Sequence, residues 1–146
     1  MNALEKTVDL LGAIAILFLV PLLYYGGGKR MSEVMLAGQA GEHFLKCVST
    51  AGEITQPVWK ELGRALNQIG CDGYSIKRER FLFEPYGKEG EITECCYVKD
   101  TEEIERQVEE SGQFVLQAGD RVWLTIVVNR IPTVYFTCVR TGGGSS

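Results

Sequence analysis

The stretch from Leu10 to Tyr25, LLGAIAILFLVPLLYY, holds no charged residue and constrains this chain more than any other feature of its sequence. Begun at Val8, it gives about 27 Å of helix at roughly 1.5 Å per residue, barely the hydrocarbon thickness of a bilayer. A helix that is apolar on every side must be surrounded by lipid or by other protein. Tyr24 and Tyr25 suit a membrane–water boundary, where an amphipathic ring is favoured. The residues ahead of the run carry Glu5 and Asp9 rather than a basic segment, and no small-x-small pattern precedes Lys29. The stretch is therefore expected to be retained rather than cleaved as a signal peptide. Lys6 flanks one end and Lys29-Arg30 the other, so charge sets no orientation.

Two details within the run call for a physical reason. A carboxylate at an apolar boundary is costly unless something pairs with it, yet Glu5 and Asp9 both sit there; Lys6 and Asp9, three apart, could pair. Pro21 removes the hydrogen bond to the Leu17 carbonyl and crowds that turn, so a kink or local opening is expected. Gly26-Gly27-Gly28 costs roughly 1 kcal/mol per residue relative to alanine if kept helical. A melted or flexible joint is expected at these three glycines. The chain then divides into a hydrophobic arm with its glycine joint at 1–30, a head at 31–141 and a flexible tail at 142–146.

With Glu5, an apolar run and Pro21, the arm resembles the mature N-terminus of type IV pilin-like filament subunits. Those begin with a hydrophobic helix carrying Glu at the fifth position and usually a proline near the twenty-second. The resemblance implies that the helix sits first in the cytoplasmic membrane and then packs with its copies into a filament core. It implies that Glu5 pairs with the amino terminus, Met1, of a neighbouring copy, which pins the register. It further implies subunit-assembly roles for Asp9, Leu10, Leu17 and Pro21. The family's precursors carry a short basic leader removed by a prepilin peptidase, so Met1 is expected to correspond to the mature first residue.

The head follows in order. Ser32–Thr50 has Val34, Met35, Gly38, Gly41, Phe44, Leu45 and Val48 at helical spacing, with Ser32 as N-cap; Gly38 and Gly41 permit close approach of another element. In EITQPVWKELGRALNQIG, Thr55 is the expected N-cap, Pro57 lies in the first turn, and Gly70 is the C-cap. Val58, Leu62, Ala65, Leu66 and Ile69 make its apolar stripe. GYSIKRERFLF alternates, with Tyr74, Ile76, Phe81 and Phe83 as expected buried positions and a bulge near Arg80. The basic run Lys77-Arg78-Glu79-Arg80 is placed on the wet side. EITECCYV forms a second strand after a turn at Pro85-Tyr86-Gly87, and Thr101 caps a short acidic helix over 102–110. DRVWLTIVV and TVYFTCV form a hairpin about Asn129-Arg130-Ile131-Pro132. The fold class is α+β: the long helical arm, then a small head whose antiparallel sheet of about four strands packs on helices. The segment from Phe44 to Arg80 also resembles minor pilin-like proteins of Tad-type (tight-adherence) loci in Gram-positive bacteria.

The chain has 146 residues and a net charge of −4, without the broad basic face of a nucleic-acid partner. Its single histidine, His43, reads as a helix residue, and no C-x-x-C occurs, so no metal, haem or other cofactor is expected. Cys47, Cys71, Cys95, Cys96 and Cys138 could form one or two disulfides in an oxidising compartment, or serve as small core residues in a reducing one. Adjacent Cys95 and Cys96 point to opposite faces of a strand. Glu102, Glu103, Glu105, Glu109 and Glu110 spread around their helix as a solvated face, and no catalytic motif is present. Catalysis is not expected. Trp59 and Trp123 are expected core or interface anchors.

Three readings of function follow. The first is a structural subunit of an extracellular filament, a homopolymer built through the arm with the help of pilus assembly machinery. The second is a minor pseudopilin of that machinery, and the third a single-pass anchored extracytoplasmic binding module.

Overall fold

The computed structural model describes residues 2–86 and 90–143, with the backbone alone at Tyr86. The expectations for Met1, for Gly87 in its turn and for tail residues 144–146 lie outside the described residues.

The first element is one helix, α1 (Ala3–Ala51), which passes through Pro21 and all three glycines. The expected melted joint at Gly26, Gly27 and Gly28 is absent. Three glycines weaken a helix, but stopping and restarting it incurs a second nucleation, which is the costly step. Ser32 accordingly is no N-cap; its hydroxyl donates to the Lys29 carbonyl at 2.8 Å within the helix. By contacts the chain divides between Met35 and Leu36 into two units, each described by itself below.

From Leu36 onward the chain forms an α+β head. After α1 come β1 (Glu53–Thr55), α2 (Gln56–Ile69), β2 (Gly73–Tyr86), β3 (Glu91–Lys99), α3 (Thr101–Ser111), β4 (Gln113–Val115), β5 (Arg121–Val128) and β6 (Ile131–Cys138). The main sheet is antiparallel in the order β3-β2-β5-β6, and β1 pairs with β4 in a separate two-stranded sheet. α2 has Thr55 as N-cap and Gly70 as an αL C-cap, φ 83°. Its buried stripe is Trp59, Leu62, Gly63 and Leu66, so Val58, Ala65 and Ile69 lie at its margin. The helical glycines of α1 do admit a neighbour. A Cβ at Gly41 would stand 2.9 Å from Ile126 Cδ1, and one at Gly38 3.1 Å from the Tyr135 hydroxyl.

The β5–β6 hairpin closes through Asn129 and Arg130 alone, at φ 51° and 65°. Both residues left-handed define the turn that matches strand twist, and Ile131 and Pro132 already belong to β6. After exposed Arg121, the residues of β5 alternate between buried and half-buried, one face meeting the helices. Phe44 and Val48 of α1, Leu66 of α2, Ile104 of α3 and Leu124 of β5 share this core.

Three further expectations for the head need correction. β2 keeps one unbroken register with each neighbour, so no bulge occurs at Arg80. Past Glu79 it outruns β5 and pairs only with β3; Phe83 there is 72% exposed rather than buried. Asp100, not Thr101, caps α3, accepting from the Glu103 N–H at 3.1 Å. The Thr101 hydroxyl instead bonds both the N–H and the C=O of Ile76, at 2.9 and 3.0 Å. It stands where a β3 residue would otherwise continue the ladder.

Candidate assembly surface

In the first unit every side chain from Leu10 to Tyr25 is exposed, and the membrane-length window of the helix has none of its residues buried. Leu10 is 63% and Leu17 71% exposed, and Pro21 is exposed with them. No face of this helix is polar between those limits. Open space surrounds Gly26, Gly27 and Gly28. Glu5 and Asp9, four residues apart, lie on one face of the first turns, and both are exposed. No ion pair reaches either among the described residues, Lys6 included. The arm thus presents two carboxylates at the rim of an uncovered apolar cylinder. Chemically such a surface can bind lipid or other apolar helices, and it can receive a cation at its rim.

The head carries its own polar centre, which the sequence did not disclose. Arg78 is buried at 5% exposure and Asp120 at 1%; of the cations in the basic run only Lys77 is on the wet side, while Arg78 and Arg80 turn toward the core face. Asp120 takes a two-pronged contact from Arg80, Nε to Oδ1 and Nη2 to Oδ2, each 2.8 Å, and accepts the Gln117 N–H at 2.9 Å. Arg78 Nη1 stands 4.0 Å from Oδ2, and its guanidinium lies over the Phe114 ring. Hydrogen bonding to Asp120 raises the Arg80 pKa, while burial lowers that of Arg78. The available signal was period two: 76, 78 and 80 share a face with Ile76, which is buried.

On the opposite face of the sheet Glu79 bonds Lys77 at 2.7 Å and the Trp123 indole N–H at 3.0 Å. Trp123 packs on Phe136 with ring centroids 4.6 Å apart, and Arg121 lies over Phe81. Lys77 first, with Trp123, holds the Glu79 carboxyl below its ordinary value. A lowered folded-state pKa contributes stability above the unfolded value and loses it as pH falls through the folded one. Acid unfolding of Glu79→Gln should lack that step. Because Lys77 is half exposed, the difference should stay under about 1 kcal/mol.

Trp59 belongs to the core, tilted against Phe44 and Tyr74. No disulfide joins Cys47, Cys71, Cys95, Cys96 or Cys138 to one another. His43 is exposed on α1, its Nε2 3.8 Å from Cys47 Sγ. No group of three His, Cys, Asp or Glu among the described residues is arranged to hold a metal. The tail is not wholly loose: the Gly143 N–H reaches the carbonyls of Gly52 and Leu116, each at 3.1 Å, and the Thr141 hydroxyl reaches that of Thr50. No family model, curated protein or solved structure matches the chain.

Proposed function

We propose that this protein is a structural subunit of an extracellular, type IV pilus-like filament, held in the cytoplasmic membrane by its arm and then assembled through it. The observation that carries the reading is the arm itself. Leu10 to Tyr25 is uncharged and uncovered on all sides, and Glu5 and Asp9 wait at its rim without a cation among the described residues. In a protein-packed core of such helices, a carboxylate is tolerable when a neighbouring copy brings the opposite charge, and one placed a step out of register meets none. Lipid would cover the apolar surface equally well but gives no use for the fifth-position carboxylate.

The test is to shear the surface of native cells, view the released material by electron microscopy and identify this chain in it by mass spectrometry. Thin filaments containing the chain are expected. Glu5→Ala should abolish them while leaving the head's circular dichroism unchanged. Normal filaments from Glu5→Ala would sink the register role, and a chain confined to membranes without filaments would favour the anchored module or the minor component.

A further inference from the structure

Among the described residues the main sheet of the head ends in two edge strands, β6 on one side and β3 on the other, each paired along one edge only. An open edge is a row of unsatisfied backbone groups ready to pair with another chain, and proteins commonly blunt it with charge, proline or a bulge. β6 has no charged residue from Ile131 to Cys138, and its proline stands at the hairpin end. Val134 and Phe136 are 56% and 49% exposed.

The pairing fixes which backbone groups face outward. A two-residue loop makes Val128 and Ile131 a hydrogen-bonded pair, so Val134, Phe136 and Cys138 direct their N–H and C=O away from β5. α1 already takes the far end of that row: the Ser49 hydroxyl donates to the Cys138 carbonyl at 3.0 Å, and the Arg140 N–H reaches the Ser49 carbonyl at 3.3 Å. Val134 and Phe136 stay open, beside a groove of about 800 Å³ between β6 and the Glu42–Thr50 turns of α1. On β3, Ile76's bonds to Thr101 show that even-numbered residues of β2 bond toward that side. Their partners are the odd-numbered residues of β3, so Glu94, Cys96 and Val98 face outward.

We propose that β6 of one head pairs with β3 of a second copy, continuing the sheet from molecule to molecule. Charge selects the unlike edges. Arg130 and Arg140 flank β6, whereas β3 carries Glu91 and Glu94 and is followed by Asp100 and Glu102; its one cation, Lys99, is paired with Glu103 at 3.6 Å. Two β6 edges would set arginine against arginine, and two β3 edges carboxylate against carboxylate; β6 on β3 sets opposite signs together at both ends. Placing the second copy in the same orientation makes the new pair antiparallel like every other pair in the sheet. It brings Val134 and Phe136 against the Cys96–Val98 segment and Arg140 beside Glu94. Such a contact joins two different surfaces, so each copy keeps one edge open for the next. It does not rest on the filament reading. Filaments that lack it leave that reading intact, and the contact without filaments leaves this one intact.

Cys96 and Cys138 report the contact directly. Within one head they are separated by three strand spacings, at least about 14 Å, whereas across the contact they are close neighbours. Full-length chains, isotopically light and heavy, are mixed in detergent, reconstituted together into vesicles and treated with dibromobimane, whose two bromides are displaced by two thiolates. Light–heavy products linking Cys96 to Cys138 are expected. Arg140→Glu or Glu94→Arg alone should cut their yield roughly fivefold, and the two together should restore it. Both positions are exposed, so neither change disturbs folding. Only like-with-like products, or no light–heavy product at all, overturn the contact. Loss without recovery in the double variant overturns its antiparallel placement.

Discussion

Asp120→Ala should remove about 3–5 kcal/mol from the head, a large share of the roughly 5–15 kcal/mol by which a folded domain is stable. Asp120 is the acceptor for both Arg80 nitrogens and for Gln117, and it is the nearest anion to Arg78. Its removal leaves two guanidinium groups in the head, one of them almost wholly excluded from water. Arg78 Nε already meets no acceptor among the described residues, so nothing nearby replaces the lost carboxylate. The cost is that of an uncompensated buried charge, not the net worth of the pair. Replacing the whole group, with Arg78→Met, Arg80→Met and Asp120→Leu together, should therefore recover most of the loss. Denaturant unfolding of the full chain in detergent, followed by the fluorescence of Trp59 and Trp123 together, distinguishes these cases. A single variant as stable as the parent would show that the buried ions contribute little.

Gly52→Ala is the second large effect, expected at about 2–4 kcal/mol. Gly52 lies at φ 69°, a left-handed conformation that costs a side-chain-bearing residue about 1–2 kcal/mol. Its Cβ would also run into the backbone of Thr141 and Gly143, forcing that segment off the Gly52 and Leu116 carbonyls. Gly70 separates the two contributions. It lies at φ 83° with open space where a Cβ would go, so Gly70→Ala should show the conformational cost alone, about 1–2 kcal/mol. Equal losses at the two glycines would mean that the tail contact adds nothing.

What could be read from the sequence was local. Thr55, Pro57 and Gly70 mark α2 because capping depends on residues a few positions apart, and Asn129-Arg130 marks a hairpin by the same logic. The arm was legible because hydropathy needs no partner. β1 and β4, three residues each, are too short to display a period and exist only because each pairs with the other. Arg78 looked like a surface residue because its counter-charge lies far along the chain. The tail looked inert because its receptor is a glycine, which announces no contact. Which strands lie at the sheet edges, and hence where copies could meet, depends on pairing order that no single strand encodes.

The Arg80–Asp120 contact also bears on the timing of folding. The two partners are 40 residues apart in sequence, and a chain is made from its N-terminus onward. Until Asp120 emerges, β2 has two cations on the face it must eventually bury, and closing the core over them is unfavourable. An unfinished head thus stays open until Asp120 and the two strands after it have been made, and the carboxylate then lets the core close over both arginines.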